Sequence, residues 1–149
     1  MKKIFALLSL VDFCVSCSLD DNDYPNYHIT TVAITSVDMP EVFNQGETYE
    51  ITVNYDRLST CHYPNSIYYL TEPNNTRIIA AQNIVYHRDD CITEIDDEDL
   101  VQEMSFDFWV TQPVGSVYTF KFYQGVDENG EDSFLIVEVP VEEEVELIP

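Results

Sequence analysis

Tyr49-Glu50-Ile51-Thr52-Val53-Asn54-Tyr55 alternates apolar and polar residues without a break. Successive side chains of an extended chain leave opposite faces, so Tyr49, Ile51, Val53 and Tyr55 share one side and Glu50, Thr52 and Asn54 the other. The stretch reads as a strand buried on one face and wetted on the other. The same period returns in Met104, Phe106, Phe108 and Val110, in Tyr118, Phe120 and Phe122, and in Leu135, Val137, Val139 and Val141. Less regular strand candidates are Ile29 to Ser36, Ser66 to Leu70 and Arg77 to Tyr86. A helical period is missing throughout, with room for one turn between Ile95 and Gln102.

Turn chemistry falls between these runs. Asn44-Gln45-Gly46, Glu72-Pro73-Asn74-Asn75, Gln112-Pro113-Val114-Gly115 and Asp127-Glu128-Asn129-Gly130 each combine residues that tolerate tight or left-handed backbone. About seven short strands result, each with one inward face, and a second sheet is needed to cover it. The expected fold is therefore all-β: an immunoglobulin-like antiparallel β-sandwich of about seven strands. Tyr118, three residues after Gly115, stands where a tyrosine corner would return its hydroxyl to the upstream backbone.

The N-terminus carries a different message. Lys2 and Lys3 form a positive region, and Ile4 to Val11, extended by Phe13 to Val15, an apolar run interrupted by Asp12 and too short to span a bilayer. It reads as a secretory leader. Ser16-Cys17 at its end resembles a lipobox, in which cleavage before the cysteine leaves a residue that is acylated. Ser18-Leu19-Asp20-Asp21-Asn22-Asp23 resembles the acidic export tether of Bacteroidota surface lipoproteins, and the run from Tyr118 to Val141 resembles the last hairpin of their small immunoglobulin-like members. The resemblance implies lipidation at Cys17, a membrane partner reached through that anchor, and an outer-membrane address facing the cell exterior. It implies no particular activity, because functions are added to such sandwiches site by site.

The expected organisation is a leader over 1–16, a lipidated acidic tether over 17–27, the sandwich over 28–141 and an acidic tail over 142–149. Six Lys and Arg stand against 28 Asp and Glu, a net charge of -22. A field of that sign repels phosphate backbones, so nucleic acid is not a partner.

Of the four cysteines, Cys61 and Cys91 belong to the exported domain, and in an oxidising compartment they are expected to pair. A zinc site from Cys61, His62, His87 and Cys91 is the alternative, but adjacent Cys61 and His62 point to opposite sides of an extended chain. Asp127 to Asp132 lacks the spacing of an EF-hand and reads as an acidic hairpin tip. Glu94, Asp96, Asp97, Glu98 and Asp99 form a denser cluster, with weak calcium binding as its functional reading. No nucleophile elbow, zinc-protease motif or phosphate loop occurs, so neither an enzyme nor a cofactor is expected.

Trp109, Tyr123, Phe134 and Ile136 oppose the core face of their strands by parity. They are the candidate binding surface of a non-catalytic binding or accessory module, for glycan or protein. The competing reading is a structural or assembly subunit of a larger outer-membrane complex. Oligomeric state is not encoded in any pattern found.

Overall fold

A computed structural model describes residues 26–143; the leader, Cys17 and most of the tether lie outside the described residues. The strands are β1 (Tyr27–Val32), β2 (Ile34–Asp38), β3 (Phe43–Asn44), β4 (Thr48–Asp56), β5 (His62–Glu72), β6 (Thr76–Tyr86), β7 (Val101–Trp109), β8 (Val117–Val126) and β9 (Asp132–Glu142). A single turn, α1 (Asp97–Leu100), precedes β7. With 63% of the described residues in strands and 3% in helix, only sheet against sheet can enclose a core.

One sheet is β2-β4-β7, and the other runs β1-β6-β8-β9-β3 with β5 on the far edge of β6. Their inner faces meet on the residues that alternation selected. Ile51, Val53, Tyr55, Phe108 and Val110 from the smaller sheet close on Tyr118, Phe120, Phe122, Val139 and Val141 from the larger. Phe108 stands edge-on to Tyr118 and Phe120, with ring centroids 4.9 and 5.0 Å apart, the arrangement that aromatic quadrupoles favour.

The all-β sandwich is as expected, but its wiring differs in three ways. The described residues hold nine strands rather than about seven. Ile29 to Ser36 is divided at Ala33, where the chain passes from the larger sheet to the smaller, a corner that a single run of β-formers conceals. The two-residue β3 exists because Phe43 is wholly buried against Phe108 and pins the chain beside β9. Pairing is also mixed: β3 lies parallel to β9 and β6 parallel to β8, where an immunoglobulin sandwich has antiparallel neighbours.

Local chemistry holds the joints. Asn74 and Asn75 both adopt positive φ (59° and 57°), giving the β5–β6 hairpin the turn that matches strand twist. The Tyr118 hydroxyl accepts from the backbone N–H of Thr111 (3.1 Å) and of Gln112 (3.0 Å), completing the tyrosine corner. Tyr49 makes a second one, accepting from the Asn44 N–H at 3.0 Å. Cys61 and Cys91 form a disulfide across 30 residues, with Cα atoms 5.4 Å apart. It fastens the loop before α1 to the start of β5, where Thr60 N–H also donates to the Ile92 carbonyl at 2.8 Å.

Candidate functional site

Strand register decides what the larger sheet shows to solvent. Across β1 and β6, Tyr27 faces Tyr86, Ile29 faces Ile84 and Thr31 faces Gln82. Across β5 and β6, Tyr63 faces Ile84, Tyr68 faces Ala80 and Leu70 faces Ile78. Across β8 and β9, Tyr123 faces Phe134 and Lys121 faces Ile136. The alternate positions of β6, β8 and β9 point into the core, so all of these lie on the outer face. Aromatic and aliphatic side chains dominate this face, with Thr31, Gln82 and Lys121 among them. Tyr86 packs against Tyr27 (6.0 Å) and Tyr63 (5.7 Å) at one end, and Tyr123 meets Phe134 at 6.1 Å toward the other.

A groove of about 230 Å3 crosses this face. Its position follows from the pairing of β6, one edge of which is shared by two strands. β1 occupies that edge from Ala81 to Tyr86 and β8 from Thr76 to Ile79. The groove lies over the hand-over, with small Ala80 in its floor, Tyr68 on one side and Tyr123 and Phe134 on the other. Thr31, Gln82 and Asp132 add polar groups to its lining. Ser66 Oγ donates to Gln82 Oε1 at 3.1 Å and so orients the amide.

Of the four surface residues expected from parity, the structure brings three together. Tyr123, Phe134 and Ile136 share the outer face of the larger sheet. Trp109 is on β7, in the smaller sheet, and belongs to the opposite side of the sandwich. It is 64% exposed, and its indole N–H donates to the Gly46 carbonyl at 3.2 Å. Parity states that a side chain leaves the core but not which sheet carries it, and this is why the set divides. Tyr27, Tyr63, Tyr68 and Tyr86 are not marked by the pattern, because β1 and β5 lack a clean alternation and β6 is apolar on both faces.

Other clusters of chemically able side chains serve the fold. With Cys61 and Cys91 oxidised, the thiolates of the zinc alternative do not exist, and no group of three or more His, Cys, Asp or Glu among the described residues is placed to hold a metal ion. His28 Nδ1 and His87 Nε2 bond at 2.7 Å, joining the start of β1 to the end of β6. His62 Nδ1 meets Ser59 Oγ at 2.7 Å. Burial, then nearby His28 and Arg57, hold the His62 imidazole below its ordinary pKa. In the acidic tip, Asp127 Oδ1 accepts from the N–H groups of Asn129 (2.8 Å) and Glu131 (3.0 Å). Those bonds hold its carboxyl below the usual range and commit it to the turn.

Comparison with protein-family models, curated proteins and solved structures gives no match to this chain.

Proposed function

We propose that the protein is a non-catalytic binding or accessory module, held on the outer membrane by lipid at Cys17, that docks its ligand on the outer face of the larger sheet. One observation carries the docking reading: a sheet face rich in tyrosine, leucine and isoleucine is left uncovered among the described residues, with Ile136 58% and Tyr68 44% exposed. Contiguous apolar surface of this kind marks interaction sites, whereas single exposed hydrophobics need no explanation.

The anchor reading rests on sequence: the positive and apolar leader, Ser16-Cys17, and the acidic stretch after it. No helix among the described residues is long and apolar enough to cross a membrane. Intact-mass analysis of the membrane fraction should give a chain starting at Cys17 with added acyl mass, and Cys17→Ser should release the protein or leave it unprocessed. A soluble chain starting elsewhere contradicts the anchor.

The docking reading has its own test. A photoreactive amino acid placed at position 68 should cross-link to a partner in the producing cells, and the same group at position 109 should not. Equal capture from both positions, or none from position 68, contradicts it.

A further inference from the structure

We infer that the docking face binds an uncharged carbohydrate chain, one sugar ring of which enters the groove over Ala80; this rests on the docking reading above and names its ligand class. The groove of about 230 Å3 falls short of the ~300–1,000 Å3 that encloses a drug-sized ligand. It therefore seats one small unit, and the remainder of the ligand lies along the open sheet.

The lining is divided by chemistry. Tyr68, Tyr123 and Phe134 present aromatic rings, while Thr31, Gln82 and Asp132 present a hydroxyl, an amide and a carboxylate. A pyranose is divided in the same way, with C–H bonds on its faces and hydroxyls around its rim. An apolar protein side chain in the groove would take water from the Thr31 hydroxyl, the Asp132 carboxylate and the Gln82 amide N–H without replacing its hydrogen bonds, while the Gln82 oxygen keeps Ser66. A sugar ring stacks on the aromatic walls and supplies both donors and acceptors to the polar ones. Beyond the groove, Tyr63, Tyr86 and Tyr27 continue the aromatic surface on which further units can lie.

Charge selects among the remaining occupants. The chain carries -22, which disfavours anionic polymers, and a second copy bearing the same charge is repelled as well. The lysine on this face is already paired: Lys121 Nζ lies 3.8 Å from Glu72. An acidic sugar would have to compete with that carboxylate for it. An uncharged chain meets none of these penalties.

Affinity electrophoresis of the purified protein tests the inference, using native gels cast with uncharged glucans, mannans, galactans and xylans and, as anionic controls, polygalacturonate and heparin. At least one uncharged polymer should retard the protein, with Tyr123→Ala and Gln82→Ala each weakening the interaction roughly tenfold or more. Trp109→Ala should migrate as the parent does, and thermal melts should show all three variants folded. Free passage through every uncharged gel, or retardation that survives both groove substitutions, overturns the carbohydrate. If the photoreactive group at position 68 still captures a protein partner while every gel is passed freely, the ligand class is wrong and the docking face stands. If it captures nothing as well, both readings fall.

Discussion

On the smaller sheet the outward positions of β4 and β7 are Thr48, Glu50, Thr52, Asn54, Asp56, Glu103, Ser105 and Asp107, with apolar Val101 and Trp109 at the two ends of β7; on the larger sheet Thr31, Gln82 and Lys121 stand among Tyr27, Ile29, Tyr68, Leu70, Tyr123 and Ile136. Both sets sit on twisted strands with a shared core beneath them. The first follows the rule for a face in water, down to a hydroxyl pair between Thr52 and Ser105 at 2.8 Å. The second breaks that rule over several adjacent strands. A chain with 28 acidic residues has polar side chains to spare, so the apolar face is not forced by composition. The proposed docking role rests on this difference.

The largest effect expected sharpens the contrast between inward and outward positions of β8. Phe120→Ala removes a wholly buried ring from the aromatic cluster and should cost about 3–5 kcal/mol in denaturant unfolding. Tyr123→Ala, on the next outward position but one, should change stability by less than about 1 kcal/mol. Similar losses from both would mean that the outer face is as structural as the core.

Next in size is the disulfide. Replacing both Cys61 and Cys91 by serine frees a loop of 30 residues and should cost roughly 3–4 kcal/mol in the chain-entropy model. Non-reducing peptide mapping should first recover the two cysteine peptides joined; free thiols at both positions would contradict the pairing. The bridge secures the edge strand β5, so its loss should raise hydrogen exchange in β5 before it does so in β4.

Tyr118→Phe tests a joint. The ring stays in the core, but the N–H groups of Thr111 and Gln112 lose their acceptor, at a cost of roughly 1–2 kcal/mol. A melt unchanged from the parent would show that water replaces the hydroxyl without loss.

A smaller effect comes with pH. His62 is held below its ordinary pKa, first by burial and then by His28 and Arg57, so the unfolded chain takes up the proton at higher pH than the folded one. Its contribution to stability is whole above the unfolded value of about 6.5, and is lost as pH falls from there through the lower folded value. Melting temperature should drop on acidification through that window, and His62→Gln should make the drop shallower. A variant with the parent's slope would place the effect on other groups.

The sequence revealed one side of this contrast far better than the other, for a physical reason. Strands β4 and β7 alternate because one of their faces meets water, and that alternation gives strand, core and orientation together. In β6, the run Ile78-Ile79-Ala80-Ala81 is apolar on both faces, so it identifies a strand but not its inward residues. Parity groups Trp109 with Tyr123 because parity is local and sheet membership is not. The parallel pairing of β6 with β8 depends on contacts between distant segments and leaves no mark in the period of either. Cysteine usage and the placement of Tyr118 after Gly115 were readable because each has a specific chemical consequence.

The measurement that bears most directly on the unequal faces is hydroxyl-radical footprinting of the protein in the cells that make it, compared with the purified chain. Purified, both faces should be labelled, at Tyr27, Tyr68 and Tyr86 on one side and at Trp109 on the other, since all four are exposed. In the cell, the three tyrosines should be protected and Trp109 should label as before. Protection of Trp109 with the tyrosines still open, or equal labelling of both faces in both settings, would contradict the assignment of the larger sheet's outer face as the docking surface.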